Sequence, residues 1–467
     1  MPQKSYREWS PDQVMLLPRS MRDWLPPGHL VHFVMDVVAE LDLSAVERAI
    51  QEKDHRGERP WNPRMMVGLL FYGYCIGVCS SRRIERATFE DVGFRILAGD
   101  NHPDHSAIAE FRKNHLAALG ALFLDILHLC QKAGMVKLGR VALDGTKVKA
   151  NASKHKAMSY DHMKRRETEL RAEIAGMLAE AGTADAAEDE LYGRDRRGDE
   201  LPNDLRRKQD RLRKILAAKR ELEAEAKQAR ETELADRARA QEDPPAPPPA
   251  PEIPSHQVRH NAAGVPDDDA QRNFTDPDSR IMKSGKDFVQ AYNAQIVVDE
   301  AEQVIVATAV SNQPADSRHL AAMIVAVEEG VGARPVQVLA DAGYFSAENI
   351  KFMDNLGIDA LVSVAREKHV LDRPEITTDP TPSAIPAQIG SKAAMRAQLS
   401  SVLGAAAYRR RKCIVEPVFG QIKGARGIRQ FLLRGVESVR GEWEIICATH
   451  NLLKLFRFSA RSALAAA

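Results

Sequence analysis

The chain has 467 residues, about three times a typical single domain, so two or three structural units are expected. Lys plus Arg number 66 against 65 Asp plus Glu, and 44% of residues are hydrophobic, which excludes a disordered, collagen-like or disulfide-scaffold chain. The longest apolar stretch, Met65 to Cys79, is too short to cross a bilayer. The first residues lack the apolar core of a signal peptide, and the five cysteines make no framework, so a reducing cytosol is expected and no membrane.

Residues 1–135 read as a helical N-terminal domain. Pro26-Pro27 precede one apolar helix face, Leu30, Phe33, Val34, Val37, Val38 and Leu41. Pro63 opens a second run, Met66 through Val78. Ser80-Ser81 is a candidate cap for Arg82 to Glu90, and Asp104 or Ser106 for Ala107 to His115. Leu116 to Lys132 makes a fifth helix. Arg82, Arg83, Arg86, Arg112 and Lys113 near the helix ends suit a DNA-binding module, and suit an ordinary helical bundle equally.

At Gly139 the pattern changes. Arg140 to Asp144 is a short strand closing on Asp144-Gly145, a dipeptide that is also common in turns. Residues 136–160 therefore open an α/β domain, which residues 161–255 interrupt. There Met163, Leu170, Ile174, Met177 and Ala181, and again Leu205, Leu212, Ile215, Leu222 and Ala226, follow the three-four spacing of a coiled coil, with Lys219 breaking the second stripe. A polar break from Gly193 to Pro202 makes this a helical hairpin. The proline run Asp243 to Pro251 is an extended return arm.

Strands resume in residues 256–460. Phe288 to Val298 and Val304 to Val310 form a hairpin around the polar turn Asp299-Glu300-Ala301-Glu302. A helix from Asp316 to Gly330, a strand Val336 to Asp341, a helix Ser346 to Leu356 and a strand Ala360 to Val364 imply βαβ crossovers. The fold class is α/β, with a mixed sheet.

Asp144 and Asp341 each close a strand. Strand ends converge on one edge of an open α/β sheet, and two carboxylates brought together there suit a divalent cation such as Mg²⁺. Each alone is an ordinary turn former. From Tyr408 to Arg457 eleven basic residues stand against four acidic ones, a footprint equally suited to docked phosphates and to a solvated helix face. Lys412, Glu416 and Lys423 share one helix face there. Pro417 implies that Glu416 lies in a first turn or that the helix kinks. Asp276 and Asp278 read as a Thr-Asp-Pro-Asp turn rather than ligands, with Arg280 and Lys283 as possible DNA contacts. Cys75 and Cys79 with His102 and His105 read as buried thiols rather than a zinc site, and Trp443, Ile445, Ile446, Leu452 and Leu453 as a core helix with a structural His450.

Five fragments in order resemble the bacterial insertion-sequence DDE transposases, most closely the group numbered eleven-eighty-two. They are Asp23-Trp24-Leu25-Pro26, Leu143 to Ser153, Asn273 to Arg280, Ala340 to Tyr344 and Val415 to Lys423. The resemblance implies a ribonuclease-H-like catalytic domain with a triad of Asp144, Asp341 and Glu416 holding two Mg²⁺ or Mn²⁺ ions. In the family's Tyr-Arg-Glu-Lys helix signature, Glu416 and Lys423 keep the spacing; Lys412 stands at the Arg position, and Tyr408 lies one residue early. The implied activity is two-metal cleavage of element ends and strand transfer to a target, at the nucleoid, by a homodimer on double-stranded DNA. Lys423 is expected to grip a phosphate, with Lys412, Arg409, Arg410, Arg411, Arg426 and Arg429 as DNA backbone contacts. A nuclease without strand transfer, or a catalytically silent DNA-binding scaffold, would use the same features.

Overall fold

A computed structural model of the chain describes residues 20–52, 59–192, 203–240, 250–364 and 391–466. They divide into two compact units, Met1–His115 with Phe456–Ala467, and Leu116–Leu455.

The first unit is helical: α1 (Leu30–Glu40), α2 (Ser44–Gln51), α3 (Pro63–Ile76), α4 (Ser81–Glu90), α5 (Val92–Ala98) and α6 (His105–Asn114). α3 starts where Asn62 accepts the backbone N–H groups of Arg64 and Met65, with Pro63 in the first turn, and stops at Gly77 (φ 81°). Met66 through Cys75 are all buried, so this helix is the unit's centre. Asp104 caps α6 by accepting from Ser106 and Ala107. α2 and α5 are too short to show a clear period in the sequence. The ring of His102 stacks on Phe89 at 3.8 Å, and His105 meets Glu85 at 2.8 Å, while Cys75 lies buried inside α3. Among the described residues no single helix is long and apolar enough to cross a membrane.

The unit boundary falls at His115 rather than near residue 135. α7 (Leu116–Lys132) packs with the second unit because its apolar side has a partner there: Leu124 and Leu127 approach Gly330, and His128 Nε2 lies 3.0 Å from Gly330 O.

The second unit is built on a six-stranded sheet. Its strands are β1 (Arg140–Lys149), β4 (Arg280–Ser284), β5 (Asp287–Asp299), β6 (Ile305–Ser311), β7 (Gln337–Ala340) and β8 (Asp359–Val362), in the order β4-β5-β1-β7-β8, with β6 also on β5. β5 runs antiparallel to β1, β4 and β6, whereas β7 and β8 run parallel to β1. A small pair, β2 (Ala157–Ser159) with β3 (Gln271–Asn273), stands apart. The helices α10 (Leu320–Val331), α11 (Ala347–Asn355), α12 (Lys392–Ser400), α13 (Val402–Gly420) and α14 (Val436–Ala466) complete the connections. The first strand does not end at Asp144: it continues to Lys149, because β5 pairs with it from Val141 to Lys149 and holds Asp144-Gly145 extended.

α8 (Tyr160–Tyr192) and α9 (Asn203–Ala240) pack side by side between β2 and β3. Met163 and Leu170 are buried with Ile215 and Ala218, and Tyr160 with Leu222, Ala226 and Val258. Arg272 of β3 ties the pair down by reaching Glu221 (2.7 Å) and Glu225. The expected break at 193–202 and most of the proline arm (241–249) lie outside the described residues.

His319, at the start of α10, is fully buried, and neither ring nitrogen has a hydrogen-bond partner. Burial pushes its pKa down to about 4, against the opposing charge of Asp316 and with help from Lys147. The unfolded chain therefore takes up this proton first. Stability is full above the unfolded value near 6.5 and falls as pH drops from there toward 4, by roughly 3 kcal/mol for this group. Denaturant titrations across that window should show the slope in the unaltered protein and a shallower one in His319→Gln.

Candidate active site

Leu143 of β1 and Ala340 of β7 are register partners on adjacent parallel strands. The next residue of each strand is an acid, Asp144 and Asp341, so the topology itself sets two carboxylates side by side, with strands about 4.8 Å apart. β1 continues past this point, but β7 stops. Asp341 turns out of the sheet and caps a 3₁₀ turn, Ala342–Tyr344, accepting the Gly343 N–H at 2.9 Å.

Asp144 is one-fifth exposed. It accepts from the Gly145 N–H at 2.8 Å and meets Arg411 Nη1 at 3.1 Å. Burial pushes its carboxyl up to about 6; Arg411 pulls the other way, and Asp341 and Asp316 add to the rise. Such a carboxylate pair gains from further positive charge.

Arg411 comes from α13, and this corrects one expectation. It is buried at 6% exposure and committed to Asp144, not open to a DNA backbone. Arg426 is likewise buried, donating to Ile446 O and Thr449 Oγ1. Because α-helical neighbours point 100° apart, the arginine run divides. Arg409 is exposed, Arg410 pairs with Glu300 at 2.7 Å, and Arg411 turns inward. Lys412 and Arg429 are exposed, and Arg429 Nε is held by Lys423 O at 2.9 Å.

Glu416 sits in the interior of α13, not in a first turn. The helix runs through Pro417, and the carbonyl that this proline leaves without a helical donor, Cys413 O, accepts from Gln303 Nε2 at 2.8 Å. Glu416 is exposed and leaves the helix about 140° around from Arg411, five residues earlier. The structure thus brings Asp144 and Asp341 to neighbouring positions, with Glu416 on the helix that supplies Arg411 to Asp144 but not grouped with the two acids. Among the described residues no three His, Cys, Asp or Glu side chains are grouped to hold a metal ion.

Beyond Pro417 the helix widens into a π turn, Gln421–Ala425, which aims Lys423 at β1. Its ammonium donates to Thr146 Oγ1 and to Lys147 O (2.9 Å), two and three residues beyond Asp144. Burial, then the charges of Arg429 and Lys147, lower its pKa to about 8. Lys423 is therefore a half-buried cation beside other cations, a setting that favours an approaching anion.

A polar network lies behind the site. Strand alternation puts Asp144 and Thr146 on one face of β1, and Gly145 and Lys147 on the other. On that other face Asp316 Oδ1 accepts from Lys147 (3.1 Å), Asn293 (2.7 Å) and Gln295 (3.0 Å), and the Tyr344 hydroxyl donates to Gln295 Oε1. A Cβ on Gly145 would overlap Gln295 Nε2, so a side chain after Asp144 would push Gln295 out of its hydrogen bonds. Asp316 carried a sequence signal in the polar run Asn312 to Asp316 that follows a buried strand, but it reads there as a helix start.

Asp276 and Asp278 take structural positions. Asp276 is fully buried and accepts from Tyr292 Oη (2.7 Å) and the Gly435 N–H (3.1 Å); Asp278 accepts the Val436 N–H (2.9 Å). Together they satisfy the first amides of α14. Arg280 is buried and turned toward Glu225 and Pro277 O.

Two family models match parts of the chain. Residues 256–452 match the transposase DDE domain, and residues 19–114 match the transposase domain DUF772. No curated protein and no solved structure matches the chain.

Proposed function

We propose that this chain, whose two matched domains support an insertion-sequence transposase, binds the terminal inverted repeats of its element, cuts the DNA at those ends and joins them to a target. The observation that carries the reading is the pairing of Leu143 with Ala340, which sets Asp144 and Asp341 at neighbouring strand positions. The strand order, with β5 and β6 antiparallel on one side of β1 and β7 and β8 parallel on the other, supports a ribonuclease-H-like arrangement. The five ordered fragments favour the eleven-eighty-two group.

The donor set is oxygen only, and Asp341 raises the pKa of Asp144, so the pair fits a hard divalent cation. Asp144 and Asp341 would hold it, with Glu416 as the third acid that the resemblance supplies. Mg²⁺ or Mn²⁺ held there would supply the positive charge that activates an attacking oxygen and steadies the leaving one. The chain's own groups do the rest. Arg411 keeps Asp144 oriented when phosphate is absent, Lys423 draws the scissile phosphate against β1, and Arg409, Lys412 and Arg429 meet phosphates without reading sequence. Joining two ends calls for two copies of the chain on DNA.

The test is purified protein with Mg²⁺ or Mn²⁺ and duplex DNA carrying the element's own ends. Nicked ends and joined products, dependent on the metal, are expected. Cleavage without joining would favour a nuclease, and binding without cleavage a silent DNA-binding protein.

A further inference from the structure

The network beneath β1 has no part in the chemistry above, yet it touches both acid-bearing segments. Asp316 lies on the face of the sheet opposite Asp144, because its partners Lys147, Asn293 and Gln295 share that face by register: Gly145 pairs with Gln295, and Lys147 with Asn293. Its Oδ1 is already filled by three donors.

We propose that Asp316 is a positioning residue that sets the spacing between Asp144 and Asp341 from behind the sheet; the proposal rests on the reading of those two acids as the metal-holding pair. On one side Asp316 lies against the backbone next to Asp144, where a Cβ built on Gly145 would come within 3.1 Å of Oδ1. On the other it lies against the Asp341 turn, where a Cβ on Gly343 would stand 3.5 Å from Oδ2 and 3.0 Å from Asp341 Oδ1. The two contacts are joined by hydrogen bonds: Asp316 Oδ1 accepts from Gln295 Nε2, and Gln295 Oε1 accepts from the hydroxyl of Tyr344, which is buried and closes the turn that Asp341 opens. An acid is required rather than an amide because one of the three donors, Lys147, is a cation only 16% exposed, and it needs a counter-charge. β7 ends at Ala340, so no sheet ladder holds Asp341 to β1. The Asp316 network replaces that ladder.

Groups that orient metal-holding carboxylates typically alter affinity or activity 10–100-fold when removed. The experiment measures Mn²⁺ binding to the full chain by electron paramagnetic resonance, and kcat and KM for cleavage of end DNA. The proteins compared are unaltered, Asp144→Asn, Asp316→Ala, Asp316→Asn and Asp316→Asn/Lys147→Gln, each with its melting temperature. Asp316→Ala should weaken Mn²⁺ binding roughly 10–100-fold and lower kcat with little change in KM. The double variant, a neutral pair of nearly the same shape, should recover most of what Asp316→Asn loses; a purely structural role predicts no such recovery. Mn²⁺ binding that is lost in Asp144→Asn but intact in Asp316→Ala and Asp316→Asn overturns the positioning role alone. Mn²⁺ binding that survives Asp144→Asn, or is absent from the unaltered protein, overturns the metal reading and the proposal with it.

Discussion

Asp144→Asn and Asp341→Asn should each reduce metal-dependent cleavage of element-end DNA by about 10³-fold or more, the scale seen when a group acting chiefly in the transition state is removed. Asparagine keeps the shape of aspartate and can still accept the Gly145 or Gly343 N–H, so the local turns survive. What disappears is one of two negative charges that are close enough for each to feel the other. DNA binding should be retained, because it depends on cations elsewhere, and loss of an acidic charge lowers repulsion of phosphate. Single-turnover cleavage at saturating Mn²⁺, run beside gel-shift titrations, separates the two quantities. Cleavage within tenfold of the unaltered rate in either variant would sink the assignment of these residues.

The second large effect belongs to the core. Trp443 of α14 is fully buried, packs edge-on to Phe431 at 6.3 Å and donates its indole N–H to Gln295 O at 3.2 Å. It thereby presses α14 onto the strand whose side chains hold the network behind the acids. Trp443→Ala should cost about 3–5 kcal/mol of stability, the usual range for emptying a large aromatic site. Trp443→Phe, which keeps most of the volume and loses the hydrogen bond, should cost about 1–3 kcal/mol, part of it for the carbonyl left unpaired. Guanidinium unfolding of the two variants measures both. A loss under 1 kcal/mol in the alanine variant would show that α14 does not anchor the sheet.

Much of the architecture is legible from local pattern. The alternation in Phe288 to Val298 and the apolar run Val304 to Val310 lie within one residue of β5 and β6 at each end, and the helical periods of α1, α3 and α7 are recovered. Of their ends, only the start of α3 at Pro63 is marked in the sequence. The periods depend on residues within a turn or two of one another. The short elements β2, β3 and β4 are stabilised by partners more than a hundred residues away or by a single neighbour, so no period announces them. Asp144-Gly145 shows the same limit. As an isolated dipeptide it favours a turn, and nine register pairs with β5 override that preference. The divided fate of Arg409, Arg410 and Arg411 could not be read from charge counting either, since which helix face is buried depends on what lies beneath it.

The amino-acid order alone determined the class of fold, the acid Asp341 where a strand ends and the basic character of the segment that follows, because periodicity and composition are short-range properties. The folded chain decided that Asp144 and Asp341 follow register partners on neighbouring strands, that Arg411 and Arg426 turn inward, and that Asp316 is tied to Lys147, Asn293 and Gln295 on the opposite face of the sheet. Those outcomes depend on strand register and helix rotation, which are chosen by packing among residues far apart in the chain.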